Sequence, residues 1–237
     1  LIRVALLKIT IRNIMEIVNQ GRIPQPTISG SYGYAWQQLW KYFLSFFIIG
    51  LLVAIFEGPA SIARDSEMNE TAVSIFVRIV AAAYMLLVFP VINYGGDLLY
   101  LRGIRDEKME IGLLFDGFRR NYLNIVLSSL LTFAIIGLGF LFLIVPGIIF
   151  ACRLAFVSFL VMDKNMEPIA AIEKSWEMTR GYGWKIFGMA LLAIPVFFAG
   201  LLCFIVGVII AVMWIAASFA AMYHAIDLED QKRLTSE

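Results

Sequence analysis

Six apolar runs set the pattern of this chain: Leu39–Phe56, Ala72–Tyr94, Leu123–Val145, Gly147–Met162, Trp184–Ile205 and Gly207–Ile226, with polar residues gathered between them. A bilayer core of about 30 Å takes about 20 helical residues, fewer where flanking side chains snorkel. Each run therefore predicts one transmembrane helix. The third and fourth are separated only by Pro146-Gly147, and the fifth and sixth by little more than Gly207. Such short gaps predict tight helical hairpins; one long kinked helix in either place is the alternative. The expected fold is an all-α integral membrane protein, with six transmembrane helices as three hairpins and cytoplasmic amphipathic interfacial helices. Residues 1–30 form an amphipathic segment and linker, and residues 31–237 the transmembrane domain.

Composition agrees with this reading. Hydrophobic residues make up 61% and charged residues 16% of 237 positions, and the mean hydropathy is +0.83; a soluble surface of that composition is not sustainable. The net charge of +1 gives no basis for a nucleic-acid partner. Cys152 and Cys203 both lie inside apolar runs and read as small hydrophobes, not as a disulfide or metal site.

Charge placement predicts orientation. With the N-terminus inside, cytoplasmic segments hold Arg3, Lys8, Arg12, Arg22 and Lys41, then Arg102, Arg105, Lys108, Arg119 and Arg120. Lys164, Lys174, Arg180, Lys185, Lys232 and Arg233 follow, which makes sixteen of the 19 basic residues. The remaining three are Arg64, Arg78 and Arg153. The long segment Glu57–Thr71 is acidic and falls outside. The expected location is the bacterial cytoplasmic membrane, with both termini cytoplasmic.

Each predicted hairpin begins with an aromatic and basic stretch: around Tyr34–Phe43, Phe115–Leu123 and Trp176–Lys185. Each even span ends near an aspartate: Asp97, Asp163 and Asp227. Either the unit is repeated three times, or these are the aromatic belts and basic collars of any inner-membrane protein. Glu167–Thr179 has helical spacing, with Ile169, Ile172, Trp176 and Thr179 on one side and Glu173, Lys174 and Glu177 on the other. Leu1–Val18 is apolar with basic interruptions and no small-residue cleavage site, so it is expected to lie on the inner leaflet or dock against a partner, and not to be a removable signal. Gly21–Gly33 is expected to be a flexible connector.

Several motifs carry a family likeness: Gly117-Phe118-Arg119, Ile144-Val145-Pro146-Gly147-Ile148-Ile149, Arg153 to Asp163, Tyr223, and above all Ala170 to Phe187 with Gly181-Tyr182-Gly183-Trp184-Lys185. Through them, about Tyr94 to Ile226 resembles a widespread bacterial family of six-span membrane proteins of unknown function. It is also similar to the membrane domain attached to some glycerophosphoryl diester phosphodiesterases. The resemblance implies a fold and no activity, since the soluble phosphodiesterase domain has no counterpart in these residues. The first 30 residues have no counterpart in it either.

Candidate chemistry is sparse. Arg153 is the one basic residue well inside a span, about 9 Å along a helix that starts near Gly147. It is either a snorkelling cation or an anchor for a lipid phosphate or substrate carboxylate. Asp97 and Asp163, like Asp227, are expected to pair with basic neighbours, a proton or cation relay being the alternative. Trp176, Arg180, Trp184 and Lys185 complete the candidate lipid- or substrate-binding set. His224, the sole histidine, has no spacing of a metal site. Pro195 predicts a kink in the fifth span. No phosphate-cradling loop, His-Glu-x-x-His or nucleophile elbow occurs, so neither an enzyme nor a cofactor is expected. The functional expectation is a scaffold or accessory subunit that binds membrane lipids or partner proteins at the inner leaflet, a second copy being one candidate partner. A small transporter or lipid translocator comes second and a lipid hydrolase a distant third.

Overall fold

The Thr27 hydroxyl accepts a hydrogen bond from the Gly30 N–H at 3.1 Å and so starts a helix, α1, Ile28–Lys41. The structure is a computed structural model that describes residues 23–64 and 72–236; all its elements are helical, with no strand among the described residues. The predicted connector Gly21–Gly33 is thus helical from Ile28 onward, and the boundary drawn at residue 30 falls inside α1. The amphipathic reading of Leu1–Val18 lies outside the described residues, as does the Asp65–Thr71 part of the acidic segment.

After α1 come α2 (Phe43–Arg64), α3 (Ala72–Leu87), α4 (Phe89–Ile104), a 3-10 turn at Ile111–Phe115 and α5 (Asp116–Arg119). The chain continues through α6 (Tyr122–Phe142), α7 (Ile144–Arg153), α8 (Val157–Asp163), α9 (Pro168–Met178), α10 (Gly183–Leu202) and α11 (Phe204–Ser236). Among the described residues five helical runs are long and apolar enough to cross a membrane: Val73–Ile104, Tyr122–Phe142, Ile144–Asp163, Gly183–Leu202 and Val206–Arg233. They become six if the pair α1 and α2, bent by 100° around Tyr42, counts as one.

Four predicted boundaries move, each for a local reason. The run Leu39–Phe56 begins inside α1 and crosses the bend, because α1 packs on α11 instead of continuing along α2. There the Trp214 indole N–H donates to the Tyr32 carbonyl at 3.0 Å, and the Tyr32 hydroxyl donates to the Met189 carbonyl at 3.1 Å. The second run extends ten residues past Tyr94, to Ile104, with an irregularity at Val88 just before Pro90. The chain turns at Leu143, not at Pro146-Gly147: Pro146 sits in the first turn of α7, where its missing N–H costs nothing. Likewise it turns at Cys203, not Gly207. Pro195 lies inside α10, which is continuous across it.

Packing is lopsided. The 32 residues of Val73–Ile104 and the 33 of α11 would each run about 50 Å as helix, well beyond a bilayer core. Their shared ends, with α1, α8 and α9, enclose the core of Tyr32, Leu39, Phe46, Leu99, Ile104, Leu160 and Tyr223. α4 is its centre and is buried on nearly every face. At the opposite end apolar side chains stand bare, with Leu141 79% and Leu202 84% exposed. Water would penalise such surface heavily and hydrocarbon would not. Close helix contact at that end rests on glycine pairs: Gly139 against Gly147, and Gly200 against Gly207.

Candidate functional site

The Ile144–Asp163 run is interrupted at Leu154, Ala155 and Phe156, between α7 and α8. A break at membrane depth must have its freed backbone groups satisfied from elsewhere. Here α9 does so. The Ser175 hydroxyl donates to the Arg153 carbonyl at 2.8 Å, and the Phe156 N–H donates to Ser175 Oγ at 3.4 Å. The Thr179 hydroxyl lies 3.3 Å from the same carbonyl. Ser175 and Thr179 are both fully buried. Along Glu167–Thr179 the residues Ala171, Ser175, Met178 and Thr179 point inward, Ile172 and Trp176 are half-buried, and Ile169 is exposed. Replacing Ser175 with alanine is expected to cost about 1 to 2 kcal/mol, read by unfolding in mild detergent, because a buried carbonyl and N–H lose their partner. An unchanged midpoint would mean that water reaches the break.

Arg153 ends α7. With the helix starting at Ile144, it lies nine residues along, about 14 Å, deeper than a start at Gly147 gives. Its guanidinium carbon sits 5.6 Å from the centroid of the Trp176 ring, a cation–π contact. Its Nη1 is buried without a hydrogen bond. No carboxylate among the described residues pairs with it. The residue lines a groove of about 530 Å³ between α7 and the start of α10. Val145, Ile148 and Ile149 form one wall, and Trp184 and Phe187 the other. Gly181 and Gly183 also line it, and Gly181 holds φ +90, a left-handed conformation that a side chain would strain. Trp184, on the rim, is 85% exposed.

The structure therefore gathers Arg153, Trp176 and Trp184 and leaves the other candidates elsewhere. Arg180 is exposed and does not line the groove. Lys185 donates to the Pro26 carbonyl at 2.9 Å and lies over the Tyr182 ring. Tyr182 in turn donates to Glu229, and burial together with that carboxylate pushes its hydroxyl up to about 12, so it stays protonated. Asp97 corrects an expectation: it lies two turns before the end of α4, not at the helix exit, and no Lys or Arg among the described residues forms an ion pair with it.

Asp163 and Asp227 instead meet on a residue that the sequence reading had counted only among the basic collar. Arg105 grips Asp163 through both terminal nitrogens, at 2.6 and 2.9 Å, and its Nη2 lies 3.7 Å from Asp227. Its Nε donates to His224 Nδ1 at 3.3 Å, Tyr223 donates to Asp163 at 3.3 Å, and Lys164 pairs with Asp227. The ends of α4 and α8 are thereby joined to the Tyr223–Asp227 stretch of α11 in one ionic cluster. His224 serves as an acceptor in it, and no group of three His, Cys, Asp or Glu suited to a metal ion occurs among the described residues.

The chain matches no protein-family model, no curated protein and no solved structure.

Proposed function

We propose that this chain is a non-enzymatic protein of the bacterial cytoplasmic membrane, crossing it six times in three hairpins with both termini inside. It serves as a scaffold or accessory subunit that binds lipid, or a partner protein, at the inner leaflet. The observation that carries the lipid-binding part is Arg153: a cation without an internal counter-ion, at an apolar groove whose rim holds an exposed tryptophan. An intramembrane charge costs roughly 3 kcal/mol or more unless something neutralises it, and a bound anion would do so. The second and third hairpins are supported by the one-residue turns at Leu143 and Cys203 with their glycine contacts. The orientation is supported by the excess of Lys and Arg in alternate segments. The likeness of residues 94–226 to a six-span bacterial family fits this reading and adds no activity to it.

A small transporter or lipid translocator is the second reading, favoured by the broken run at residues 154–156, since discontinuous helices often flank substrate pathways. It takes second place because the Ser175 hydroxyl already occupies the freed carbonyl, leaving it no part in coordinating a substrate.

Topology is tested with single cysteines at Arg119 and at Lys174, in a chain carrying Cys152→Ser and Cys203→Ser. Both positions are expected to react with a membrane-impermeant maleimide only after the cytoplasmic face is opened. Labelling of either from the periplasm of intact cells reverses the orientation.

A further inference from the structure

We propose that the groove between α7 and α10 is a site for one acidic phospholipid, its singly charged phosphodiester on Arg153 and an acyl chain along Val145, Ile148 and Ile149. This deepens the lipid-binding reading and rests on it.

Charge comes first. Three other partly shielded cations have carboxylate partners: Arg105 has Asp163 and Asp227, Lys164 has Asp227, and Lys174 has Asp230 at 2.7 Å. Arg153 has a tryptophan face and an unused buried donor instead. A guanidinium suits a phosphodiester, whose two free oxygens can accept parallel N–H bonds. With Lys185 committed to Pro26, the groove presents one free cation among its described lining residues, and so matches a headgroup with one negative charge.

Shape agrees. The walls are aliphatic and aromatic, and the volume of about 530 Å³ falls in the range of small-molecule sites. The start of α10 adds to the field at the headgroup end. Its N-cap residue Tyr182 makes no side-chain capping bond, so the first amides of a 20-residue helix, at Gly183 and Trp184, open next to Arg153's groove. The exposed Trp184 ring suits the headgroup level, where an indole has apolar and polar neighbours at once. Zwitterionic lipid brings its own ammonium to a site that already holds a cation. Acidic lipid does not.

The test uses the full chain, purified in mild detergent and exchanged into nanodiscs of phosphatidylcholine with increasing phosphatidylglycerol. Retained lipid is read by native mass spectrometry. Wild-type protein is expected to keep one phosphatidylglycerol at least 10-fold in preference to phosphatidylcholine. Arg153→Gln should abolish that preference, whereas Arg119→Gln, which removes an exposed cation far from the groove, should leave it unchanged. Ile149→Trp, which fills the groove and keeps the charge, should also expel the lipid, and so covers the case in which Arg153→Gln fails to fold. Equal retention by wild type and Arg153→Gln overturns the proposal. So does retention of added oleate in place of phosphatidylglycerol, which would make the ligand a carboxylate. Extraction of the chain from membranes by alkaline carbonate would instead sink the underlying membrane reading, and this site with it.

Discussion

Replacing Arg105 with leucine is expected to destabilise the protein by about 3 to 5 kcal/mol, the usual cost of stranding a buried charge. The side chains concerned are well shielded: 17% exposed for Arg105, 14% for Asp163 and 3% for Asp227. Removing the guanidinium takes both charged bonds from Asp163, leaving it only the Tyr223 hydroxyl, and takes the second cation from Asp227, while Lys164 reaches only Asp227. Arg105→Lys should recover part of the loss, because an ammonium supplies the charge without the two-pronged geometry. Arg105→Leu combined with Asp163→Asn should be less destabilised than Arg105→Leu alone, since the stranded charge is gone. The measurement is reversible unfolding in mixed detergent micelles. A loss below about 1 kcal/mol for Arg105→Leu would place the cluster among solvated surface pairs and end its role as the tie between α4, α8 and α11.

That tie shows where sequence reading reached its limit. The aspartates at the ends of the fourth and sixth spans were visible as helix-end acids, and their pairing with basic residues followed from the cost of burying a charge. Which cation they share was not visible. Arg105 lies 58 residues from Asp163 in sequence and resembles any other member of the cytoplasmic collar. Its distinction is positional: α4 runs on to Ile104 instead of ending at Tyr94, which carries the next residue into the packed end of the molecule. Asp97 was misplaced by the same shortfall. The break at residues 154–156 was equally silent, since Leu154-Ala155-Phe156 holds neither proline nor glycine and its compensation comes from Ser175 and Thr179 on another helix. Pro146-Gly147 erred in the other direction. Both are turn-formers, but a proline in the first turn of a helix is also ordinary, and the residue that turns is Leu143. The apolar runs themselves were legible because burial in hydrocarbon demands length and composition, which one chain displays unaided. The candidate groove was half legible. Arg153, Trp176 and Trp184 were singled out by charge, depth and aromatic character, but only tertiary packing removes Arg180 and Lys185 from it.

Gly200→Ala is expected to be strongly destabilising, while Gly137→Ala, also on a membrane-length helix, is expected to be neutral or mildly stabilising. A Cβ at Gly200 would lie 2.6 Å from the Gly207 carbonyl oxygen and 2.7 Å from the Ala211 Cβ, whereas at Gly137 nothing lies within 4 Å. The first obstacle is backbone, which cannot rotate aside, so α10 and α11 must separate along their shared length. In hydrocarbon there is little hydrophobic drive to restore the contact, and association depends on the van der Waals fit that small residues permit. Overpacking of this kind costs about 1 to 3 kcal/mol, and Gly200→Leu should exceed the alanine value. At Gly137 the only change is the helix propensity gained, up to about 1 kcal/mol. Opposite signs for one methyl group at two glycines separate a packing requirement from a general tolerance of glycine in membrane helices. Equal effects at both positions, measured by unfolding in the same micelles, would mean that α10 and α11 do not touch at Gly200 and Gly207, and the third hairpin would fall with that contact.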